Sequence, residues 1–254
     1  MIWQVSWERR TKMFVGVDGC RAGWFAIGLE AEGNWQVDVF PEVSSLWNHH
    51  RQASLILIDI PIGLKAEGRA ERRCDPQVRK LLGPRRSSVF PAPCRRAIYA
   101  SSYQEACDIN QQLTGKRLSV ENWNIIPKIR EMDSLLSEDI SARDRIREIH
   151  PELCFWGLAG RPMQHAKKRS EGLSERTQLL QSVYPQTADI IAHALSTYKR
   201  KDVAKDDILD ALAAVVTGLM GKQNLTSIPQ EPEFDERGLR MEMVYCPHTV
   251  GEFS

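Results

Sequence analysis

The chain has 254 residues, 42% hydrophobic and 26% charged, which is the composition of an ordinary soluble globular protein large enough to bury a sizeable core. Its 34 basic and 33 acidic residues leave a net charge of +1, so it is not a polyelectrolyte, and no apolar run approaches the ~20 residues of a membrane span. Six dispersed cysteines without a CxxC pair point to reduced thiols in the cytoplasm, and no cysteine–histidine spacing suits zinc.

Residues 1–12 have no apolar core of the secretory kind and read as a disordered extension. Met13 is then as good a start as Met1. Three short strands follow, at 13–18, 23–30 and 34–40, with turns at Gly19–Gly23 and Glu32–Asn34. A helix over 41–51 leads to a strand ending at Asp59. This β-β-β-α-β order implies an antiparallel meander, a crossover, and a return strand parallel to the first.

From Pro61 to Arg96 the chain is rich in Gly, Pro and Arg and reads as a long functional loop with one short helix near 75–82. Between Lys65 and Arg96 it holds ten basic and three acidic residues. Such a block suits a phosphate backbone, or equally a solvated surface paired with acids elsewhere. Helices are expected at 102–113 and 120–136, the second carrying Pro127, then a strand over 145–150 and a short helix opened by Pro151. Further helices are expected at 174–184, at 188–198 and from Asp206 to about Gly218–Gly221, with a late strand over 240–245. No internal repeat or linker divides the chain.

The chemistry lies in the acids. Asp18 and Asp59 each end an apolar, strand-like run, where a charge is out of place unless something there requires it. In the expected topology both sit at the C-terminal ends of neighbouring parallel strands, where open α/β sheets place their sites. Asp207 and Asp210, three apart, share one helical face, and Ala211 and Ala214 let that helix approach the sheet closely. Glu148 ends the strand before His150. Converging carboxylates repel one another unless a hard divalent cation such as Mg²⁺ or Mn²⁺ neutralises them. Each acid has a plainer role as well: Asp18 and Asp59 as turn formers, Asp207 and Asp210 in a helical first turn, Glu148 in an arginine pair. His150 and the cysteines read as structural more than catalytic.

Several ordered motifs resemble a family of uncharacterised predicted ribonuclease H-like nucleases, domain of unknown function 429. They are Val15-Gly16-Val17-Asp18-Gly19-Cys20-Arg21-Ala22-Gly23-Trp24, Asp59-Ile60-Pro61-Ile62-Gly63-Leu64, and Arg73-Cys74-Asp75 with Arg79, Gly83, Arg85 and Ser87-Ser88-Val89-Phe90-Pro91. Ile126-Pro127-Lys128-Ile129, Glu148-Ile149-His150-Pro151-Glu152 and the Asp207 helix complete the set. The Asp207 helix is also similar to the acidic C-terminal helix of RuvC-type resolvases. The resemblance spans residues 13–245. It implies an α/β, ribonuclease H-like fold: a mixed central sheet, its first three strands antiparallel and the rest parallel, flanked by helices. One such domain would occupy 13–254, with a helical insertion at about 61–144.

The function this implies is divalent-metal-dependent hydrolysis of phosphodiester bonds in nucleic acid. Asp18, Asp59, Asp207 and Asp210 would hold Mg²⁺ or Mn²⁺ and, with Glu148, form the catalytic set. Arg73, Arg79, Arg85, Arg86, Ser87 and Ser88 would bind substrate phosphates. The alternatives are an actin-like or sugar-kinase-like nucleotide-binding phosphotransferase, and a non-catalytic nucleic-acid-binding module. Neither a membrane partner nor a homodimer is indicated.

Overall fold

The central strands are buried on both faces, and their side chains alternate between two cores. In the computed structural model, which describes residues 12–222 and 224–248, Met13–Cys20 (β1) turns Phe14 and Cys20 to one core and Val15 and Val17 to another. The expected disorder of residues 1–12 lies, except for Lys12, outside the described residues. Gly23–Glu30 (β2) pairs antiparallel with β1, and Trp35–Phe40 (β3) pairs antiparallel with β2. Leu55–Ile58 (β4) returns parallel to β1, and Ile146–Glu148 (β5) lies parallel to β4. The sheet order is β3-β2-β1-β4-β5.

Helices cover both faces. On one side lie Val43–His49 (α1) and, beyond Cys74–Leu82 (α2), the helices Tyr103–Thr114 (α3) and Val120–Glu138 (α4), which runs on through Pro127. Ile140–Arg143 (α5) is a single turn that no sequence pattern announced. On the other side lie Pro151–Ala159 (α6), Ser170–Val183 (α7), Thr187–Thr197 (α8) and Lys205–Met220 (α9). The α7 helix starts four residues earlier than its sequence pattern indicates.

Helix α9 touches the sheet backbone to backbone. A Cβ on Gly16 would fall 2.2 Å from the carbonyl oxygen of Ala211 and 2.3 Å from the amide nitrogen of Val215. Neither neighbour is a side chain that can rotate away, so the helix itself must lift. Gly16→Ala is therefore expected to cost about 3 kcal/mol, the upper end of ordinary overpacking. Urea denaturation measures it, and a loss below about 1 kcal/mol would mean that α9 is free to shift.

Two differences from the sequence pattern stand out. The 61–96 segment is not a plain loop around one helix, because 3₁₀ turns occupy Gly83–Ser88 and Arg95–Tyr99. The late strand Arg240–Tyr245 does not join the central sheet. It pairs with an unexpected strand, Thr226–Phe234 (β6), as β7 of a separate hairpin. Pro229 and Pro232 hid β6, since proline cannot donate to a ladder, and the pairing is irregular between Ile228 and Glu233 where they lie. Among the described residues no helix is long and apolar enough to cross a membrane.

Candidate carboxylate site

Strand alternation and register place the first two acids. Asp18 follows Gly16 by two residues, so it lies on the α9 face of β1. Asp59 follows Leu57 by two and shares that face, since Leu57 packs in the α9-side core. Val17 is registered against Ile58, and the Asp59 N–H donates to the Val17 carbonyl at 3.1 Å. The next pair along is therefore Asp18 and Asp59, side by side at the ends of parallel strands. The contact of Ala211 with Gly16 sets Asp210 beside them, and Asp207 one turn nearer the start of α9. Asp207 also fills the plainer role, accepting the Ala204 N–H at 2.8 Å as a first-turn acid.

The four charges strain one another. Burial, then Asp210 and Asp59, hold the Asp18 carboxyl well above the usual range against the pull of Lys167. Burial and Asp210 raise Asp59 to about 7. Burial raises Asp207 to about 6 against the Ala204 N–H, with Asp206 and Asp210 adding to the rise. Lys167 reaches in from the loop between α6 and α7 and places Nζ 2.8 Å from Asp210 Oδ2. Burial works against its charge, but Asp210 and Asp18 outweigh burial and keep it protonated. One ammonium thus faces four carboxylates. No three of these four bring oxygens within 4.8 Å of one another, a spread that unneutralised carboxylates favour.

A cleft of about 670 Å³ opens over Asp18 and Asp59, and Arg85, Ser87, Ser88, Lys128, Lys167 and Lys168 are among its walls. His150 also lines it, with Nε2 3.2 Å from the Ser88 carbonyl, and burial depresses its basicity. Two of the four arginines expected to bind phosphate are engaged within the protein. Arg85 donates to the Met163 carbonyl at 2.9 Å and to Gln164, and Arg79 pairs with Glu71 and the Val89 carbonyl. Arg73 and Arg86 are exposed and outside the cleft wall, and Ser88 Oγ donates to the Arg85 carbonyl at 2.8 Å.

Glu148 does not join the aspartates. Its register partner is Ile58, which points to the α1 side, so Glu148 leaves β5 on the face opposite Asp18 and Asp59. There it takes a two-pronged pair from Arg72, at 2.7 and 2.9 Å, and the Ile62 N–H at 2.6 Å. It reaches the cleft wall only from behind. The expected arginine pair is its observed role. Lys167 and Arg72 were missed among the site residues, because nothing in a basic run marks which member folds inward.

Fold and site together define an α/β protein with a cleft over two aspartates at the C-terminal ends of its parallel strands. The chain belongs to the family described as Protein of unknown function (DUF429), whose model matches residues 16–234 and so spans all four aspartates and Lys167. No curated protein and no solved structure matches it.

Proposed function

We propose that the chain has a ribonuclease H-like fold and is a divalent-metal-dependent nuclease acting in the cytoplasm on phosphodiester bonds of nucleic acid. The observation that carries this reading is the adjacency of Asp18 and Asp59 at parallel strand ends, with Asp210 and Asp207 brought against them by α9. The sheet order β3-β2-β1-β4-β5, with only its first three strands antiparallel, supports the fold assignment. Six free, buried cysteines favour a reducing compartment.

The donor set fits a hard cation. All four groups are carboxylates, the ionised forms of Asp18, Asp59 and Asp207 are held at a cost, and one lysine leaves the cluster undercompensated. Mg²⁺ or Mn²⁺ bound there supplies Lewis-acid activation of a water and stabilisation of a leaving oxygen. The chain's own residues prepare the site. The Gly19 N–H holds Asp18 Oδ1 at 2.8 Å, which fixes the carboxylate plane and leaves Oδ2 for a ligand. Lys167 orients Asp210, and the Ala204 N–H orients Asp207. Lys128 and Lys168 add positive charge to the cleft wall, which favours phosphates, while Arg85 braces the wall through the 163–164 carbonyls.

Purified protein incubated with Mn²⁺ or Mg²⁺ and a panel of single- and double-stranded DNA and RNA tests the reading. Cleavage that needs the metal and falls at least ~100-fold in Asp18→Asn is expected. Equal metal-dependent cutting by Asp18→Asn would overturn the assignment. Salt-sensitive binding without cutting in either protein would leave a binding module instead.

A further inference from the structure

The described residues hold one other cluster of metal-ligating side chains, on the opposite side of the sheet. Strand β3 is a sheet edge, and its alternation sends Val37 and Val39 toward the α9-side core and Phe40 toward the α1 side. Asp38, two residues before Phe40, shares the α1 side. His49 is the last residue of α1. His50 has already left the helix, with φ −99° and ψ 18°, so two consecutive side chains that a helix would splay apart instead converge. Their rings lie 4.7 Å apart at 81°, and the Phe40 ring packs on both, at 5.3 and 5.5 Å.

Asp38, His49 and His50 each bring one ligand atom within 4.8 Å of the others. Among the described residues no other group of three or more His, Cys, Asp or Glu does so. His50 is only 2% exposed, and its Nε2 is buried with no hydrogen-bond partner, an arrangement that is costly unless something fills it. His49 is exposed, which provides an entry path for an ion.

We propose that Asp38, His49 and His50 form a second cation site, one that takes a borderline transition ion, Zn²⁺ foremost, and ties the edge strand β3 to the end of α1. Two imidazoles and one carboxylate match zinc, cobalt and nickel, whereas an all-oxygen set suits magnesium. Zinc bond lengths of roughly 2.0–2.2 Å require the three ligand atoms to close further, which modest side-chain rotations supply on the exposed His49 side. Solvent takes the fourth position. The site lies on the α1 face, with the sheet between it and Asp18, so its occupancy is independent of the carboxylate cleft.

Co²⁺ titration of the full-length Asp59→Asn protein, read by visible absorption, tests this apart from the carboxylate cluster. One equivalent should give the intense bands of four-coordinate Co²⁺, displaced by Zn²⁺ and unmoved by excess Mg²⁺. His49→Ala and Asp38→Asn should each weaken binding by at least about 100-fold and abolish the rise in Tm that Zn²⁺ produces. Asp38→Asn should keep the metal-free Tm, since the exchange is near-isosteric and the side chain is not buried. Absence of Co²⁺ bands in the parent protein would overturn the proposal. So would bands that survive in the His49→Ala, Asp38→Asn double variant.

Discussion

Asp59→Asn is expected to abolish Mn²⁺ binding and at the same time to make the metal-free protein more stable than wild type at pH 8. Both effects come from one carboxyl whose pKa burial and Asp210 raise to about 7. In the unfolded chain an aspartate titrates near 3.8. The folded state therefore binds the extra proton between those two values, and its stability falls as pH rises across that window. Above pH 7 the native protein carries an ionised Asp59 next to Asp18 and Asp210, and asparagine removes that repulsion. Below about pH 4 both states are protonated and the advantage of asparagine vanishes. Comparing the variant with wild type in EDTA isolates this term from His50, which burial draws down to about 4 and which shifts stability the opposite way. Calorimetry adds the binding half. Protonation of Asp59 alone should weaken Mn²⁺ binding about 30-fold between pH 8 and pH 5.5. A variant no more stable than wild type at pH 8, or Mn²⁺ affinity indifferent to the substitution, would remove the basis for a carboxylate metal site.

Arg72→Ala should be the most damaging single change away from the cleft. The guanidinium is 3% exposed and binds Glu148 through two nitrogens, Asp75 at 2.7 Å and the Ile62 carbonyl at 3.0 Å. It joins β5, the 61–72 segment and the first turn of α2, and so anchors the segment that walls the cleft. Alanine leaves two buried carboxylates without their cation, a loss of about 3–5 kcal/mol. Lysine keeps the charge but not the fork and should recover only part of it. Replacing Arg72 and Glu148 together with methionine and leucine should cost less than Arg72→Ala alone, because that exchange strands fewer charges. Urea denaturation of the three variants gives the order, and an Arg72→Ala loss under about 1 kcal/mol would mean that water relieves the carboxylates.

Asp18, Asp59 and the Asp207–Asp210 pair were legible because local patterns carry them. An acid ending a short apolar run, and two acids three apart ahead of an alanine-rich stretch, can be read without knowing what packs where. Glu148 also ends its own strand, and the sequence already offered an arginine pair as its plainer role without saying which arginine. Its side was decided by register against Ile58, which turned it to Arg72 instead. The basic segment was visible as charge, yet charge does not say that Arg79 and Arg85 would be taken up by Glu71 and by carbonyls. Strand β6 was hidden by its prolines.

Sequence alone determined the apolar strands, the acidic helix, the family motifs and the four aspartates, since apolar runs, turn residues and helical spacing are local properties of the chain. Only the tertiary structure decided that Lys167 would face those aspartates, that Arg72 would claim Glu148, and that Asp38 would meet two consecutive histidines across an edge strand. These pairings join residues from 11 positions apart, Asp38 and His49, to 149 apart, Asp18 and Lys167. Which charged group meets which is set by strand register and by the close seating of a helix on Gly16, and neither leaves a periodic mark in the chain.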